Sequence, residues 1–265
     1  MNCKWECKAS IGSSICPSAV LCGCSDVDLS ANCSNKGFSA TPPGLPNQLR
    51  SLDMSRNQMK KINASEMFRL LSLEYLDLSH NRLTEFSMGD GFQQIHYNLR
   101  KLDLSYNKIS SVKGLRLSGL MRLQELNLAN NRIMSLPQQT LFEVGSSLRL
   151  LNLKSNKIVS LEPGCFSGLY ALKELVLSKN KLSSFPKEIM PNLEVLELNK
   201  NKFVEIEGLM FHGLGKLKVM RKYSDVAFWI IILFIHITIY RKNNLIFTLI
   251  CCVLTNTIYG IFCRF

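Results

Sequence analysis

The sequence predicts an α/β repeat solenoid in which short strands from successive repeats stack into one curved, parallel β-sheet. Three observations predict it: a pattern of leucines recurs seven times, six cysteines lie within the first 33 residues, and the last 40 residues are mostly apolar. These features divide the 265-residue chain into three parts. We expect a cysteine-rich cap region at 1–46, a solenoid at 47–217, and a degenerate repeat with an apolar, helical tail at 218–265.

The repeated pattern is L-x-x-L-x-L-x-x-N, with Met or Val replacing Leu at some positions. Its L-x-L alternation predicts a short strand with one buried face. A single repeat cannot bury its own apolar face, so successive repeats must stack on one another. The seven copies are Leu49–Asn57, Leu73–Asn81, Leu99–Asn107, Leu123–Asn131, Leu148–Asn156, Leu172–Asn180 and Leu193–Asn201.

The asparagine that ends each copy is expected to turn the chain and to bind backbone groups inside the coil. Stacked on one another, these side chains form a predicted ladder: Asn57, Asn81, Asn107, Asn131, Asn156, Asn180 and Asn201. Loss of one of them should cost about 1–3 kcal/mol for the groups left unpaired. A second apolar spine is expected from Phe92, Phe142, Phe166 and Phe211, with Met67 or Phe68 in the first repeat.

This pattern resembles the leucine-rich repeat family from about residue 16 to residue 217. The elements Glu207–Leu214 and Asp225–Trp229 are similar to the leucine-rich repeats and immunoglobulin-like domains family, and the resemblance covers repeats only. That family consists of type I membrane proteins. The resemblance implies a non-enzymatic module that binds proteins outside the cell and negatively regulates growth-factor receptor signalling.

The N-terminal cysteines predict disulfides formed in an oxidising compartment. A zinc site is the alternative, but the cluster lacks the paired C-x2-C motifs of common zinc modules and has no neighbouring histidine. Followed by the TPPGLP segment at 41–46, the cluster is similar to the cysteine-rich cap of extracellular leucine-rich repeat proteins. This resemblance implies Cys16, Cys22, Cys24 and Cys33 as the disulfide cysteines and leaves their pairing open.

Two further features bear on localisation. Asn32 and Asn63 begin N-x-[ST] sequons, which are candidate glycosylation sites in an extracellular protein. Residues 1–14 contain no apolar leader, whereas Val226–Tyr240 and Leu245–Phe262 are uncharged and flank a basic pair. We therefore expect a membrane protein with its repeats outside the cell. A secreted protein, a fragment, or a tail produced by a gene-model error is the alternative.

No catalytic motif is present in the sequence. A phosphate-binding glycine loop, H-E-x-x-H and G-x-S-x-G are absent, and the four histidines are scattered. We predict no enzyme activity, no cofactor and no metal site. Cys165 is interpreted as a small apolar filler. The net charge of +12 is distributed over the repeats, which favours a solvated face over nucleic-acid binding.

The remaining candidate site is the exposed, concave face of the predicted sheet. Polar side chains there form columns across the repeats, and an acidic column beside a mixed polar and basic one suits a protein partner. Tyr75 and Tyr106 are the preferred anchors. A structural adhesion protein or a binder of matrix polyanions is the alternative. The predicted partner-binding residues are Asp53, Arg56, Tyr75, Asp77, His80, Asp103, Tyr106, Asn127, Asn152, Lys179, Glu197 and Lys200.

Overall fold

The protein is a stack of short strands. Its computed structural model describes residues 22–62, 67, 69–86, 98–113, 115, 117, 119–203 and 213–221. Ten strands form the main sheet, in which β1 and β2 are antiparallel and every later pair is parallel. The bounds are β1 Gly23–Ser25, β2 Ser30–Asn32, β3 Ser51–Asp53, β4 Tyr75–Asp77, β5 Lys101–Asp103, β6 Glu125–Asn127, β8 Leu150–Asn152, β10 Glu174–Val176, β11 Val195–Glu197 and β12 Val219–Arg221. A second sheet pairs β7 (Ser135–Leu136) with β9 (Ser160–Leu161).

The predicted parallel-sheet solenoid is confirmed, but the described residues contain almost no helix. The arc between Leu136 and Leu148 has one 3-10 turn, Phe142–Val144. Other arcs are closed by single turns, such as Leu120 N–H donating to the Leu117 carbonyl at 3.1 Å. With repeats of about 24 residues, the arcs are too short for a stable helix of several turns.

The middle residues of β2 to β6, β8, β10 and β11 and the leucines around them fill the core, as the L-x-L pattern predicts. Leu102, Leu126 and Leu151, for example, are at most 1% exposed. The sheet also continues one strand beyond the last good copy of the motif. Met220 of β12 pairs with Leu196 of β11, although the eighth copy lacks both the leucine pair and the asparagine.

The second apolar spine differs from the prediction at one position. Phe166 is fully buried and Met67 is 1% exposed, but Phe142 is 57% exposed. Leu141 and Val144 occupy the interior in its place. The Phe142 ring instead lies over Gly168, where an added Cβ would approach Cδ2 of the ring to 2.6 Å. The other predicted members, Phe68, Phe92 and Phe211, lie outside the described residues.

A disulfide closes the N-terminal end of the solenoid. Cys22 and Cys33 are bonded to each other, and both side chains are buried in the core. Cys24 is also disulfide-bonded. The structure therefore supports disulfides over a zinc site at these three cysteines. Cys16, Cys3 and Cys7 lie outside the described residues.

Of the predicted degenerate repeat and apolar tail at 218–265, residues 222–265 also lie outside the described residues. Within the described ranges, none of the helical segments has the length and hydropathy to cross a membrane.

Candidate functional site

The exposed face of the main sheet carries two columns of side chains. Because successive side chains on a strand alternate between faces, the residues before and after each buried leucine both point outward. The parallel register then aligns them: Ser51 with Tyr75 and Lys101, and Asp53 with Asp77 and Asp103. These residues line a groove that extends across β3, β4, β5, β6 and β8. We call this surface the concave face.

The acidic residues of the concave face also stabilise their own turns. Asp53, Asp77 and Asp103 each accept a hydrogen bond through Oδ1 from the backbone N–H two residues later, at 2.8 Å. Asn127 and Asn152 make the same contact at 3.1 Å. Oδ2 of Asp103 accepts a further hydrogen bond from Nδ2 of Asn127 at 2.8 Å. These side chains therefore have a structural role in addition to their charge.

Burial and mutual repulsion act on the middle aspartate. Burial raises the pKa of Asp77 above its ordinary value of 3.8, hydrogen bonds from Ser79 oppose the change, and the carboxylates of Asp103 and Asp53 raise it further. A line of three carboxylates on neighbouring strands thus forms a local negative field. A cation from a partner would stabilise the charged form of Asp77.

One cation–aromatic pair and one stacked aromatic pair flank these carboxylates. Tyr75 is 41% exposed, and Nζ of Lys101 lies 5.9 Å from its ring centroid. The same ammonium is paired with Glu125 at 2.7 Å, and the hydrogen bond to that carboxylate raises the pKa of Lys101. Tyr106 is 50% exposed and stacks on His80 with centroids 4.1 Å apart. Lys101 and Glu125 are not among the residues predicted from the sequence, although the alternation of side chains along a strand places them on this face.

The column before each ladder asparagine adopts an unexpected backbone conformation. Its members have left-handed φ angles between 54° and 59°, a region that residues other than glycine rarely occupy. The predicted site residues among them therefore project from the end of the strand, at the rim of the concave face, and not from the strand itself. The column consists of Arg56, His80, Tyr106, Asn130, Ser155, Lys179 and Lys200.

The asparagine ladder holds this rim in place. Nδ2 of Asn131 donates to the carbonyls of Leu104, Leu128 and Ala129 at 2.9, 3.1 and 3.3 Å, and Oδ1 accepts from the Ile109 N–H at 3.0 Å. Asn81, Asn107, Asn156 and Asn180 likewise donate through Nδ2 to a carbonyl of the preceding repeat. Each asparagine thereby joins two repeats. Asn57 and Asn201 make the same kind of contacts at the two ends.

The acidic column is less regular in the C-terminal half of the concave face. Val176 interrupts the acidic column and is 7% exposed. Glu197 follows it on β11, and Lys179 and Lys200 lie at the rim. The predicted residues with negative charge and exposed rings are brought together mainly on β3, β4 and β5.

Asn32, a candidate glycosylation site, lies at the start of the acidic column, where it pairs with Asp53. It is exposed, and its Oδ1 accepts hydrogen bonds from the Ser34 N–H at 3.0 Å and the Ser34 hydroxyl at 2.6 Å. A glycan there would border the concave face. Asn63 lies outside the described residues.

Two titratable groups are buried away from the concave face. Cys165 is 1% exposed, and burial raises the pKa of its thiol. Glu188, 6% exposed, accepts a hydrogen bond at Oε1 from the Gly164 N–H at 2.7 Å. Among the described residues, no group of three or more His, Cys, Asp or Glu side chains could hold a metal ion.

Glu188 leads to a prediction about pH. Burial raises the pKa of Glu188 above its ordinary value of 4.5, and backbone N–H groups at Gly164, Phe166 and Cys165 oppose the change. At pH values between the ordinary and the raised pKa, the folded state binds more protons than the unfolded state. The stability that protonated Glu188 contributes to the folded state is therefore lost as the pH rises through this window. We expect the stability of Glu188→Gln relative to wild type to increase from pH 4 to pH 7, as measured by urea unfolding. A constant difference across this range would contradict the prediction.

Comparison with known proteins agrees with the fold. The family model described as "Leucine rich repeat" matches residues 33–83 and 146–190, and "Leucine Rich repeats (2 copies)" matches residues 97–141. Together they cover just over half of the chain.

Two curated relatives match shorter segments. The human leucine-rich repeat-containing protein 3C is 43% identical over 67 residues, which are 25% of this chain and 24% of that protein. The leucine-rich repeat and immunoglobulin-like domain-containing nogo receptor-interacting protein 1 of Xenopus tropicalis is 38% identical over 60 residues, 23% of this chain and 10% of that protein. The matches therefore span a quarter or less of either relative.

Solved structures share the solenoid over a longer range. A crystal structure of a TLR13–ssRNA13 complex superposes with a TM-score of 0.60 at 29% identity, covering 66% of this chain and 25% of that chain. An octameric complex of Latrophilin 3, Unc5D and FLRT2, whose repeats belong to FLRT2, gives a TM-score of 0.50 at 25% identity over 76% and 52% of the two chains. With its seven aligned asparagines, its parallel sheet and these matches, the chain belongs to the leucine-rich repeat family.

Proposed function

We propose that this protein is an extracellular recognition module that binds a protein partner on its concave face. The observation that carries the proposal is the grouping of Tyr75 and Tyr106, both more than 40% exposed, with Asp77 and Asp103 on adjacent strands. Large aromatic side chains lose little conformational entropy on binding and dominate many protein interfaces. The hydrogen-bonded sheet holds them in fixed positions, which lowers the entropic cost further.

The charge of this surface defines the partner. The line of Asp53, Asp77 and Asp103 repels itself, and the raised pKa of Asp77 reflects that repulsion as well as burial. A partner that brings Lys or Arg side chains to this line would relieve the repulsion and gain specificity. The partner surface is therefore basic, with a site for each exposed tyrosine ring.

Two further observations support the extracellular and receptor-directed part of the proposal. Disulfides such as Cys22–Cys33 form and persist in oxidising compartments. A relative is named as a receptor-interacting protein, and the FLRT2 repeats occur in a complex with two other proteins. With the resemblance in residues 207–229, these support a cell-surface receptor as the partner and regulation of growth-factor receptor signalling as the outcome.

The test is a binding screen of the full chain against an array of receptor ectodomains that includes growth-factor receptors. For a receptor that binds, we expect Tyr75→Ala/Asp77→Asn/Tyr106→Ala to weaken binding at least thirtyfold, because two anchors and one charge are lost. Asp77→Asn keeps the oxygen that caps the Ser79 N–H. Asp103 is left unchanged because it also binds Asn127.

The matched control is Met121→Ala/Tyr170→Ala, which removes two exposed apolar side chains from another surface. It should change the affinity less than threefold. All variants should keep the urea midpoint of the wild type. If the control double variant abolishes binding and the triple variant does not, the concave face is the wrong surface; if no ectodomain binds, the receptor assignment fails.

A further inference from the structure

The residue directly after each ladder asparagine is basic in six consecutive repeats. These residues are Arg82, Lys108, Arg132, Lys157, Lys181 and Lys202, and we call them the cation column. All six side chains are exposed. In the sequence these residues are about 24 positions apart. The stacking of the repeats brings them into one row.

The backbone places these six side chains in line. Each member donates its N–H to a carbonyl of the preceding repeat, at 2.7 to 2.9 Å, so that successive members are one repeat apart along the solenoid. Adjacent strands of a sheet are about 4.8 Å apart, and six members therefore extend over roughly 24 Å. The distance between neighbouring members is shorter than the Debye length of about 8 Å at physiological salt, so their charges repel one another.

Nothing in the neighbouring columns neutralises these charges. The rim column on one side, from Arg56 to Lys200, contains no carboxylate and adds three cations. Two residues after the members, the described positions contain Thr84, Ser110, Met134, Val159 and Ser183, again without a carboxylate. Within the described residues, no member of the cation column forms an ion pair.

The other ends of the strands differ. There, Glu74 lies between Arg50 and Arg100, at 3.9 and 3.3 Å, and Glu194 lies between Lys173 and Lys218, at 3.5 and 2.7 Å. Carboxylates therefore pair with cations at this end of the strands, whereas the cation column at the other end contains no carboxylate. The cation column differs from this end of the strands in being an uninterrupted row of six cations.

We propose that the cation column is a binding site for a linear sulfated polysaccharide, separate from the concave face. An extended polyanion with charges every few ångströms matches a straight row of cations of similar spacing. Its binding would relieve the repulsion within the row and release condensed counterions.

The chemistry of the column favours sulfated sugar over single-stranded nucleic acid. Proteins that bind single strands combine cations with aromatic platforms on which successive bases stack. The cation column has no aromatic member, and the rim column has only His80 and Tyr106, which stack on each other. Arg and Lys side chains alone suffice for sulfate and carboxylate groups.

The experiment uses the full chain and a heparin dodecasaccharide, with affinity measured from 50 to 300 mM NaCl. The test variant is Lys108→Gln/Arg132→Gln/Lys157→Gln. The matched control, Arg69→Gln/Lys113→Gln/Lys187→Gln, removes the same number of Lys and Arg charges from exposed positions outside the column. We expect at least a tenfold loss of affinity at 150 mM NaCl for the test variant and less than threefold for the control. The slope of log K against log salt should fall by about 2–3 for the test variant, because three fewer charges are neutralised.

Three results would overturn the proposal. One is an absence of heparin binding at 150 mM NaCl. Another is an equal loss for both triple variants, which would assign binding to the overall charge. The third is tighter binding of a single-stranded oligonucleotide with the same number of charges, which would make the site a nucleic-acid site. Receptor binding at the concave face should persist in the test variant, so failure here leaves the proposed function standing.

Discussion

Replacing Asn131 with alanine is expected to lower the free energy of unfolding by about 1–3 kcal/mol. The Asn131 side chain joins two repeats through three carbonyls and the Ile109 N–H, and all of these contacts are buried. Alanine leaves the buried Ile109 N–H unpaired, which costs about 1–3 kcal/mol. The three carbonyls each lose one of two donors and keep the other, from Asn107, Asn156 and Tyr106. Because stability in a solenoid depends on the interfaces between neighbouring repeats, the loss should spread to both sides of Asn131.

The measurement is urea unfolding followed by far-UV circular dichroism. Asn192→Ala is the control: its Nδ2 also donates to a backbone carbonyl, that of Tyr170 at 2.8 Å, but in an exposed position. We expect this variant to lower the free energy of unfolding by less than about 1 kcal/mol, because water replaces the lost partner. Equal effects in the two variants would mean that the ladder contributes no more than a surface hydrogen bond.

The strands and the ladder could be predicted because the same pattern recurs seven times in the sequence. Each strand is only three residues long, and a single copy would be ambiguous between strand and turn. Repetition at a fixed interval removes that ambiguity, since only stacking buries the leucines of every copy. Their register follows directly, which is why Asp77 and Asp103 could be assigned to one column before the structure was known.

The conformation of the rim could not be predicted in this way. Arg56, Tyr106 and Lys179 have no intrinsic preference for left-handed φ angles. Their conformation is imposed by the asparagine that follows, whose side chain must turn inward to bind both repeats. The tertiary contacts therefore override local propensity at the position where the predicted binding side chains are attached.

The arcs were predicted least well because their length varies. Phe142 was placed in the interior by analogy of residue type with Phe166. Counted from the preceding leucine, however, Phe166 is the fifth residue after Leu161, and the fifth residue after Leu136 is Leu141. The arc of Phe142 is one residue longer, and the 3-10 turn at Phe142–Val144 accommodates the difference. Position along the arc, and not aromatic character, determines which side chain is buried.

This explanation predicts opposite outcomes for the two phenylalanines. Phe166→Ala should cost about 3–5 kcal/mol, the range for removing a fully buried aromatic side chain. Its ring is inaccessible to solvent and lies 5.9 Å from the ring of Phe185, so truncation leaves a cavity between repeats. Phe142→Ala should cost less than about 1 kcal/mol, because more than half of that side chain is already exposed.

Urea unfolding of the two variants under the same conditions makes the comparison, with Leu141→Ala as the third member. Leu141 is 1% exposed, and its truncation should cost about 2–5 kcal/mol, so the ranking within this arc would reverse the order of side-chain size. A larger loss for Phe142→Ala than for Leu141→Ala would restore the interpretation based on residue type. A larger loss for Leu141→Ala than for Phe142→Ala would establish that the distance from the preceding leucine determines which side chain of each arc is buried.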